Sequence, residues 1–385
     1  MNKKVMVLGG GIAGLSAALE LSQKNIEVEL VEKTCFLGGK AIGFTCKATD
    51  RCQQCGACLV EETLRDVVAQ PNITIHLRTE IDSVIKNGKF KVKLKKSNSI
   101  PQKDEILTGF SKYNSPYKVI IGNPQGSEDG VKIDELGTEG EREVDALIIA
   151  TGFTPFDPTV RATYGYKSWK NVITALELEN MLRNEVKVIK PSNHQQAKKI
   201  AFIQCVGSRS KEFNSVWCSE VCCPYALRMA RMIKHRYPDT EIWVFFIDIQ
   251  NVGKEYSSFI KQINTELNLV NATPIDIFPR DKEDMVEVAY KDEIEDLRKL
   301  EPFDLVVLSV GIMPNEDNKD VAKKINVDLG EDGFFKEVNL MEPGLTSQEG
   351  IFLAGTTTGP KDIVNTISHA KSAVCQTLTY LGGKK

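Results

Sequence analysis

Ten cysteines stand in this 385-residue chain, and eight of them fall into two short runs. One run, Cys205-x12-Cys218-x3-Cys222-Cys223, lies between an apolar stretch that reads as a strand and a pattern that reads as a helix. Iron–sulfur cubanes need four soft anionic ligands, and four thiolates so placed supply them. Zinc also accepts four thiolates, but its structural sites favour paired C-x2–4-C knuckles, which this spacing is not. Neighbouring side chains diverge, so the adjacent Cys222 and Cys223 leave open that one is a bystander. The other run, Cys46-x5-Cys52-x2-Cys55-x2-Cys58, has the opening spacing of a ferredoxin site. Three chemistries compete for it: a second iron–sulfur cluster, a reactive or sulfur-carrying thiol set near Lys47 and Arg51, and zinc or unliganded structural cysteines. Cys375 stands apart, on the apolar side of a C-terminal helical pattern, and reads as a packed core thiol.

The N-terminal stretch carries a different chemistry. An apolar run over residues 4–8 leads straight into Gly9-Gly10-Gly11-Ile12-Ala13-Gly14. A helical pattern follows, then a second apolar run closed by Glu32. Strand, glycine turn, helix, strand and acid match the dinucleotide-binding fingerprint. Gly9 serves the tight turn, Gly11 the close approach to a pyrophosphate, Gly14 the helix–strand packing and Glu32 a ribose hydroxyl. Ile12 and Ala13 open the helix, whose unpaired N–H groups and positive dipole end suit phosphates.

These residues must be positioned by alternating strands and helices. Residues 61–70 read as a helix, and 73–77, 81–85 and 89–94 as strands, with Asn87-Gly88 a hairpin signal. Residues 96–140, rich in Gly, Pro, Ser and Asp, read as surface loop and hairpin. A buried strand over 144–150 ends in Thr151-Gly152-Phe153-Thr154-Pro155; a helix is expected over 172–183 and a strand over 199–203. The helix after the second cysteine run is expected from Pro224, at its first position, to residue 236. Strands over 241–247 and 304–310 follow, with two weaker elements between, and a last helix runs to about residue 381. Such alternation argues for parallel sheets. Two apolar strands that each end in Gly plus Pro suggest two similar α/β units, the second inserted into the first. The expected division is 1–155, 156–330 and a return over 331–385.

Composition narrows the class. With 42% hydrophobic and 26% charged residues the chain is ordinary for a globular protein. A net charge of −3 gives no electrostatic case for nucleic acid or anionic lipid. No apolar stretch approaches the ~20 residues that span a bilayer, and the opening residues do not read as a leader. A cytoplasmic location is expected, where ten cysteines are no disulfide framework. His76, His194, His235 and His369 show no ligand or triad spacing and read as surface or hydrogen-bonded residues.

Taken with Ala150-Thr151-Gly152 and the Gly350–Gly355 stretch, the glycine turn and Glu32 resemble the thioredoxin-reductase-like flavoproteins, with two dinucleotide-binding domains, parallel sheets and a three-stranded β-meander. Within that superfamily, three stretches are similar to the A subunits of heterodisulfide reductases and their relatives. They are Gln204–Arg209 with Trp217–Pro224, Asp248-Ile249 with Gly253-Lys254, and Gly359-Pro360-Lys361-Asp362-Ile363. The resemblance implies FAD, a 4Fe-4S cluster on Cys205, Cys218, Cys222 and Cys223, and a role in electron transfer within a complex. Iron–sulfur partners like the B and C subunits and a homodimer are implied too. It also implies that Lys33, Gly38, Gly39 and Lys40 lie beside the flavin, as do Gly355 and Thr356. Asp362 would cap the following helix, which Ile363 opens, and Lys361 either tunes the flavin or is a plain surface lysine. The second domain's first strand leads into Gln204–Arg209 rather than a three-glycine turn, so NAD(P) is not supported. The stretch 96–140 holds no cysteine, so the ferredoxin-like insertion of many relatives is not expected there. The A subunit of a quinone-interacting membrane-bound oxidoreductase and a stand-alone NAD(P)H-dependent disulfide reductase are the alternatives, with a non-catalytic scaffold behind them.

Overall fold

The computed structural model describes residues 3–99, 137–184, 187–251, 253–280, 284–292 and 295–383. Most of the stretch expected as a surface insertion, 100–136, lies outside the described residues. In chain order the elements are β1 (Lys4–Leu8), α1 (Ile12–Gln23), β2 (Glu27–Val31), α2 (Ala57–Val68), β3 (Ile73–His76), β4 (Thr79–Asn87), β5 (Lys89–Lys96), β6 (Gly140–Val144) and β7 (Ala146–Ile149). A short β8 (Phe153–Pro155) precedes β9 (Val172–Thr174), α3 (Ala175–Asn184), β10 (Lys199–Val206), α4 (Cys222–Arg236), β11 (Glu241–Phe246), α5 (Tyr256–Glu266) and β12 (Asn268–Asn271). Then come β13 (Asp276–Arg280), β14 (Met285–Asp292), β15 (Leu297–Phe303), β16 (Leu305–Val310), β17 (Ile312–Pro314), α6 (Asn318–Ile325), β18 (Ile351–Leu353) and α7 (Ile363–Gly383).

The chain divides into two compact units, 1–44 with 56–154 and 314–385, and 45–55 with 155–313. The first is built on a five-stranded parallel sheet in the order β18-β7-β1-β2-β3. Val5, Val7, Val28, Leu30 and Ile148 bury one face against α1, α2 and α7. Met6, Leu8, Leu147 and Ile149 bury the other against Phe90, Val92 and Leu94 of the antiparallel meander β4-β5-β6 and against α6. Both faces covered is the reason these strands are apolar throughout instead of alternating.

The second unit repeats the plan with the order β12-β11-β10-β16-β9. Ile200, Phe202, Leu305 and Val307 face α3, α4 and α5. Ala201, Ile203, Val306 and Leu308 face the second meander, β13-β14-β15. That meander occupies sequence expected to hold only weak elements.

Several boundaries differ from expectation. The residues expected to open a helix at 172 are a strand, β9, paired with β16, and the helix starts at Ala175. Helix α4 begins at Cys222, two residues before Pro224, so the proline sits inside the first turn. The expected strand over 144–150 is two, broken at Asp145, whose carboxylate accepts the Lys4 N–H. Cys375 is exposed and not a core thiol, because α7 buries Ala370, Ala373, Val374, Thr377 and Leu381, and position 375 falls outside that stripe. His76 and His369 are buried and hydrogen-bonded. Residues 45–55, expected in the first domain, pack with the second unit, and the return to the first unit comes at Pro314 rather than 331.

Candidate functional site

In the first unit the glycine turn between β1 and α1 is shaped by contacts only hydrogen allows. A Cβ on Gly14 would stand 1.8 Å from the Gly9 carbonyl oxygen, and one on Gly9 would stand 2.3 Å from that of Ala150. The helix can therefore start directly on the strand end, and Gly9 adopts φ +109°, open to glycine. No side chain caps α1 and no acid lies in its first turn, so its leading N–H groups and positive end are available to an anion.

Glu32 ends β2 with both carboxylate oxygens engaged. Oε2 accepts the Gly10 N–H at 2.7 Å and Oε1 the Thr34 N–H at 2.8 Å. A carboxylate has about four lone-pair sites, so capacity for a ribose hydroxyl remains. Gly38 bridges to Gly11, its N–H reaching the Gly10 carbonyl at 2.7 Å, which lays Gly38 and Gly39 along the turn. Gly355 closes from the other side: a Cβ there would meet that of Ala13 at 2.5 Å. Thr151 hydroxyl lies 3.0 Å from that of Thr357, and the Thr151 carbonyl accepts from Asn315 at 2.8 Å. Thus Gly9, Gly11, Ile12, Ala13, Gly14, Glu32, Gly38, Gly39, Ala150, Thr151, Gly355 and the neighbouring Thr356 gather around one helix start. This bare cradle, lined by backbone N–H and backed by an acid, fits the pyrophosphate and ribose of FAD.

The outlying candidates are held as follows. Lys33 is ion-paired with Asp317, and Lys40 stands 5.6 Å above the Phe153 ring. Lys361 donates to the Thr358 hydroxyl at 2.8 Å. Asp362 caps α7 by accepting the Asn365 N–H at 2.7 Å, and Ile363 lies over Gly56. Sequence reasoning misses one residue. His369 Nδ1 accepts the Gly355 N–H at 2.8 Å while Nε2 lies 2.9 Å from Glu337 Oε1. Burial pushes the Glu337 carboxyl up, but the His369 hydrogen bond and the Gly344 N–H outweigh it and hold the group below its usual range. A histidine on the inward stripe of a helix that follows a candidate turn is the signal that could have found it.

In the second unit, β10 carries a bulge between Ile203 and Val206, and Cys205 within it sits at φ +59°. A non-glycine residue so held re-aims its side chain at a cost the fold must cover. Cys222 and Cys223 occupy the first turn of α4 and are buried. The neighbouring Cys205 and Cys223 thiols hold Cys222 well below the ordinary thiol range, while Cys223 Sγ also donates to the Asp248 carbonyl at 3.7 Å. The helix start supplies positive potential in addition. Cys205 and Cys223 are raised, first by their bonds to Cys222 and then by burial. Burial also raises Cys218, whose Sγ accepts the Glu220 N–H at 3.3 Å. Arg209, paired with Asp248 at 2.5 Å, opposes the rise of Cys205 and Cys218. Among the described residues no group of three or more Cys, His, Asp or Glu side chains already has metal-ligand geometry. The donor set itself, one sulfur on the β10 bulge, two in the first turn of α4 and Cys218 in the loop before it, suits a thiolate-bound cluster in kind and number.

The first cysteine run is less gathered. Cys46 and Cys52 are exposed and Cys55 half-buried in the second unit, whereas the exposed Cys58 lies on α2 of the first. The segment 45–55 is fastened by Glu179, whose Oε1 accepts from the Thr45 N–H, the Thr45 hydroxyl and Lys47, at 2.6, 2.7 and 3.0 Å. Gln53 reaches the Arg228 carbonyl and Arg231 on α4.

Known proteins resemble this chain in sequence and in fold. The family of pyridine nucleotide-disulphide oxidoreductases matches over residues 3–189. The second iron-sulfur A subunit of the CoB–CoM heterodisulfide reductase of Methanopyrus kandleri is 30% identical, over 98% of this chain and 64% of that protein. A protein of Archaeoglobus profundus, described as like the A subunit of heterodisulfide reductase, is 29% identical over 100% of this chain and 67% of its own length. The chain thus spans about two thirds or somewhat less of the curated relatives it matches. Among solved structures, the thioredoxin reductase of T. acidophilum superposes over the full length of both chains with a TM-score of 0.59 at 18% identity. An NAD-dependent persulfide reductase from A. fulgidus superposes with a TM-score of 0.54 at 19% identity, over 99% of this chain and 60% of that one. Residues 3–189 thus match the pyridine nucleotide-disulphide oxidoreductase family, the fold is that of thioredoxin reductase, and the chain is similar along its length to A subunits of heterodisulfide reductases.

Proposed function

We propose that the chain is the flavin and 4Fe-4S electron-transfer component of a heterodisulfide reductase-like complex, exchanging electrons with partner iron–sulfur subunits. What supports the reading is the placement of Cys205 on the β10 bulge and of Cys222 and Cys223 in the first turn of α4, with Cys218 in the loop before that helix. In a two-dinucleotide fold that is where the second phosphate-binding turn belongs. When bound, FAD supplies the conversion between two-electron and one-electron chemistry, and the cluster a one-electron store.

The chain's own residues do the rest. The α1 start and the Gly9–Gly14 turn hold the pyrophosphate, Glu32 the ribose, and the Gly355–Thr356 turn, fixed by His369, the far end of the cofactor. Cys205 is brought into the thiol set by its bulge, Arg209 offsets the negative charge of that set, and buried β10 and α4 exclude water from it. Partners of the B and C type and a homodimer are part of the proposal, as is an optional second cluster on Cys46, Cys52, Cys55 and Cys58.

Anaerobic reconstitution followed by iron, sulfide and FAD analysis tests the reading. One FAD with about four irons and four sulfides per chain is expected, and about eight irons if both cysteine runs are loaded. Alanine at Cys205 or Cys222 should abolish the cluster signal in electron paramagnetic resonance while FAD stays bound. A colourless iron-free chain with freely titratable thiols at Cys205–Cys223 would end it.

A further inference from the structure

Four buried polar side chains near the cysteines in sequence or strand order have no hydrogen-bond partner among the described residues. Gln204 precedes Cys205, and neither its amide oxygen nor its nitrogen has a partner among the described residues. The hydroxyls of Ser208, Ser219 and Ser309 are in the same state. All four residues are more than nine-tenths buried, at 5%, 3%, 0% and 1% exposure. An unpaired buried polar group costs about 1–3 kcal/mol, and native proteins hold only a few such groups per hundred residues. Four in one neighbourhood signal a missing partner.

Strand alternation shows where that partner lies. On β10, Ile200 and Phe202 point to the α4 side of the sheet and Ala201 and Ile203 to the meander side. Gln204, next in the alternation and the first residue of the bulged stretch, falls on the α4 side. On the adjacent β16, Leu305 and Val307 face α4 while Val306 and Leu308 do not, so Ser309 falls on the same side as Gln204. That face also packs Cys222 and Cys223. Ser219 lies between Cys218 and the start of α4, and the Ser208 N–H reaches back to the Cys205 carbonyl at 3.3 Å. The orphaned groups thus share a face or a turn with the four sulfurs, and hydroxyl and amide N–H groups are donors that sulfur can accept.

We propose that Gln204, Ser208, Ser219 and Ser309 donate hydrogen bonds to the cysteine and inorganic sulfurs of the cluster and thereby raise its reduction potential. The inference rests on the function proposed above. Reduction adds negative charge to the sulfurs, and donors aimed at them favour that state. They are positioning and tuning residues rather than ligands, so their loss should leave the metal in place.

The test uses the anaerobically reconstituted full chain, comparing the natural protein with a Gln204→Leu/Ser309→Ala double variant. Iron and sulfide per chain test the underlying reading; the midpoint followed by electron paramagnetic resonance tests the inference. With iron content unchanged, the reduced-to-oxidised ratio at the natural midpoint should fall about tenfold, equivalent to about 59 mV for one electron. Ser309→Thr, which keeps the hydroxyl, should restore the share lost in Ser309→Ala. Should the double variant load no iron, Ser309→Ala alone decides: a lowered midpoint supports the proposal and an unmoved one overturns it. Full iron content with an unmoved midpoint in the double variant overturns the inference while leaving the proposed function intact. An iron-free natural protein overturns both.

Discussion

His369 holds the Gly355 N–H on a ring nitrogen that must be unprotonated to accept, while its other nitrogen faces Glu337. Because a backbone N–H can only donate, the tautomer follows from the geometry. Replacing His369 with Leu strands the buried Gly355 N–H, worth about 1–3 kcal/mol when unpaired, and leaves Glu337 with the Gly344 N–H but without the imidazole. FAD affinity measured by fluorescence titration should fall about tenfold, and Gln, whose amide oxygen can accept in place of Nδ1, should recover most of it. A Leu variant that binds FAD as tightly as the natural chain removes His369 from the site. A second prediction concerns Glu29, which lies 2.6 Å from His76 Nε2 and 3.1 Å from Lys4 Nζ. The hydrogen bond to His76, followed by the opposing effect of burial and the bond to Lys4, leaves its carboxyl at about 2. A lowered carboxyl contributes stability that is full above the unfolded value near 4.5 and fades as pH drops toward 2. Glu29→Gln should therefore cost about 2–3 kcal/mol in urea unfolding at pH 7, with the gap closing below pH 4. A gap independent of pH would contradict it.

At the scale of elements, the segment 45–55 is held by a buried ion pair. Lys47 and Glu179 lie 2.9 Å apart with side chains 1% and 2% exposed, and the Lys47 ammonium stands 4.9 Å from the centre of the Tyr225 ring on α4. Lys47→Met leaves a buried carboxylate without its cation, a loss of about 3–5 kcal/mol. Its melting temperature should drop and residues 48–55 should become cleavable under limited proteolysis. Adding Glu179→Leu should return much of the stability, because removing both charges also removes the desolvation cost. Protection of the segment in the single variant would show that other contacts hold it. This pairing also explains why sequence alone places the segment in the other unit, since its determining contact spans 132 positions. Local information is enough for the Gly9–Gly14 turn, Glu32 and the Asn87-Gly88 hairpin, where fixed spacings dictate geometry. It fails for Val172–Thr174, whose β-branched residues become a strand only by pairing with β16, and for Cys375, one position off the buried stripe of α7. The orphaned Gln204 and Ser309 meet only through strand order, which no spacing encodes.

For the molecule as a whole, each unit carries the same three layers, helices, parallel sheet and meander, yet among the described residues only the first carries the three-glycine turn after its first strand. The consequence is tested by mixing the FAD-loaded chain with NADH or NADPH. Flavin absorbance should persist, whereas dithionite should bleach it; rapid bleaching by the nucleotide would favour a stand-alone disulfide reductase. Among the described residues no helix is long and apolar enough to cross a membrane. The chain passes between units after Phe44, Cys55, Thr154 and Met313. Excising 155–313 as an autonomous fragment would therefore discard Lys47 and Thr45 and leave Glu179 walled in with neither counter-ion nor donor from that strap. A researcher wanting the thiol-bearing half in isolation would have to graft residues 45–55 back on as a tether, and the fragment's solubility with and without that graft would report what the strap contributes.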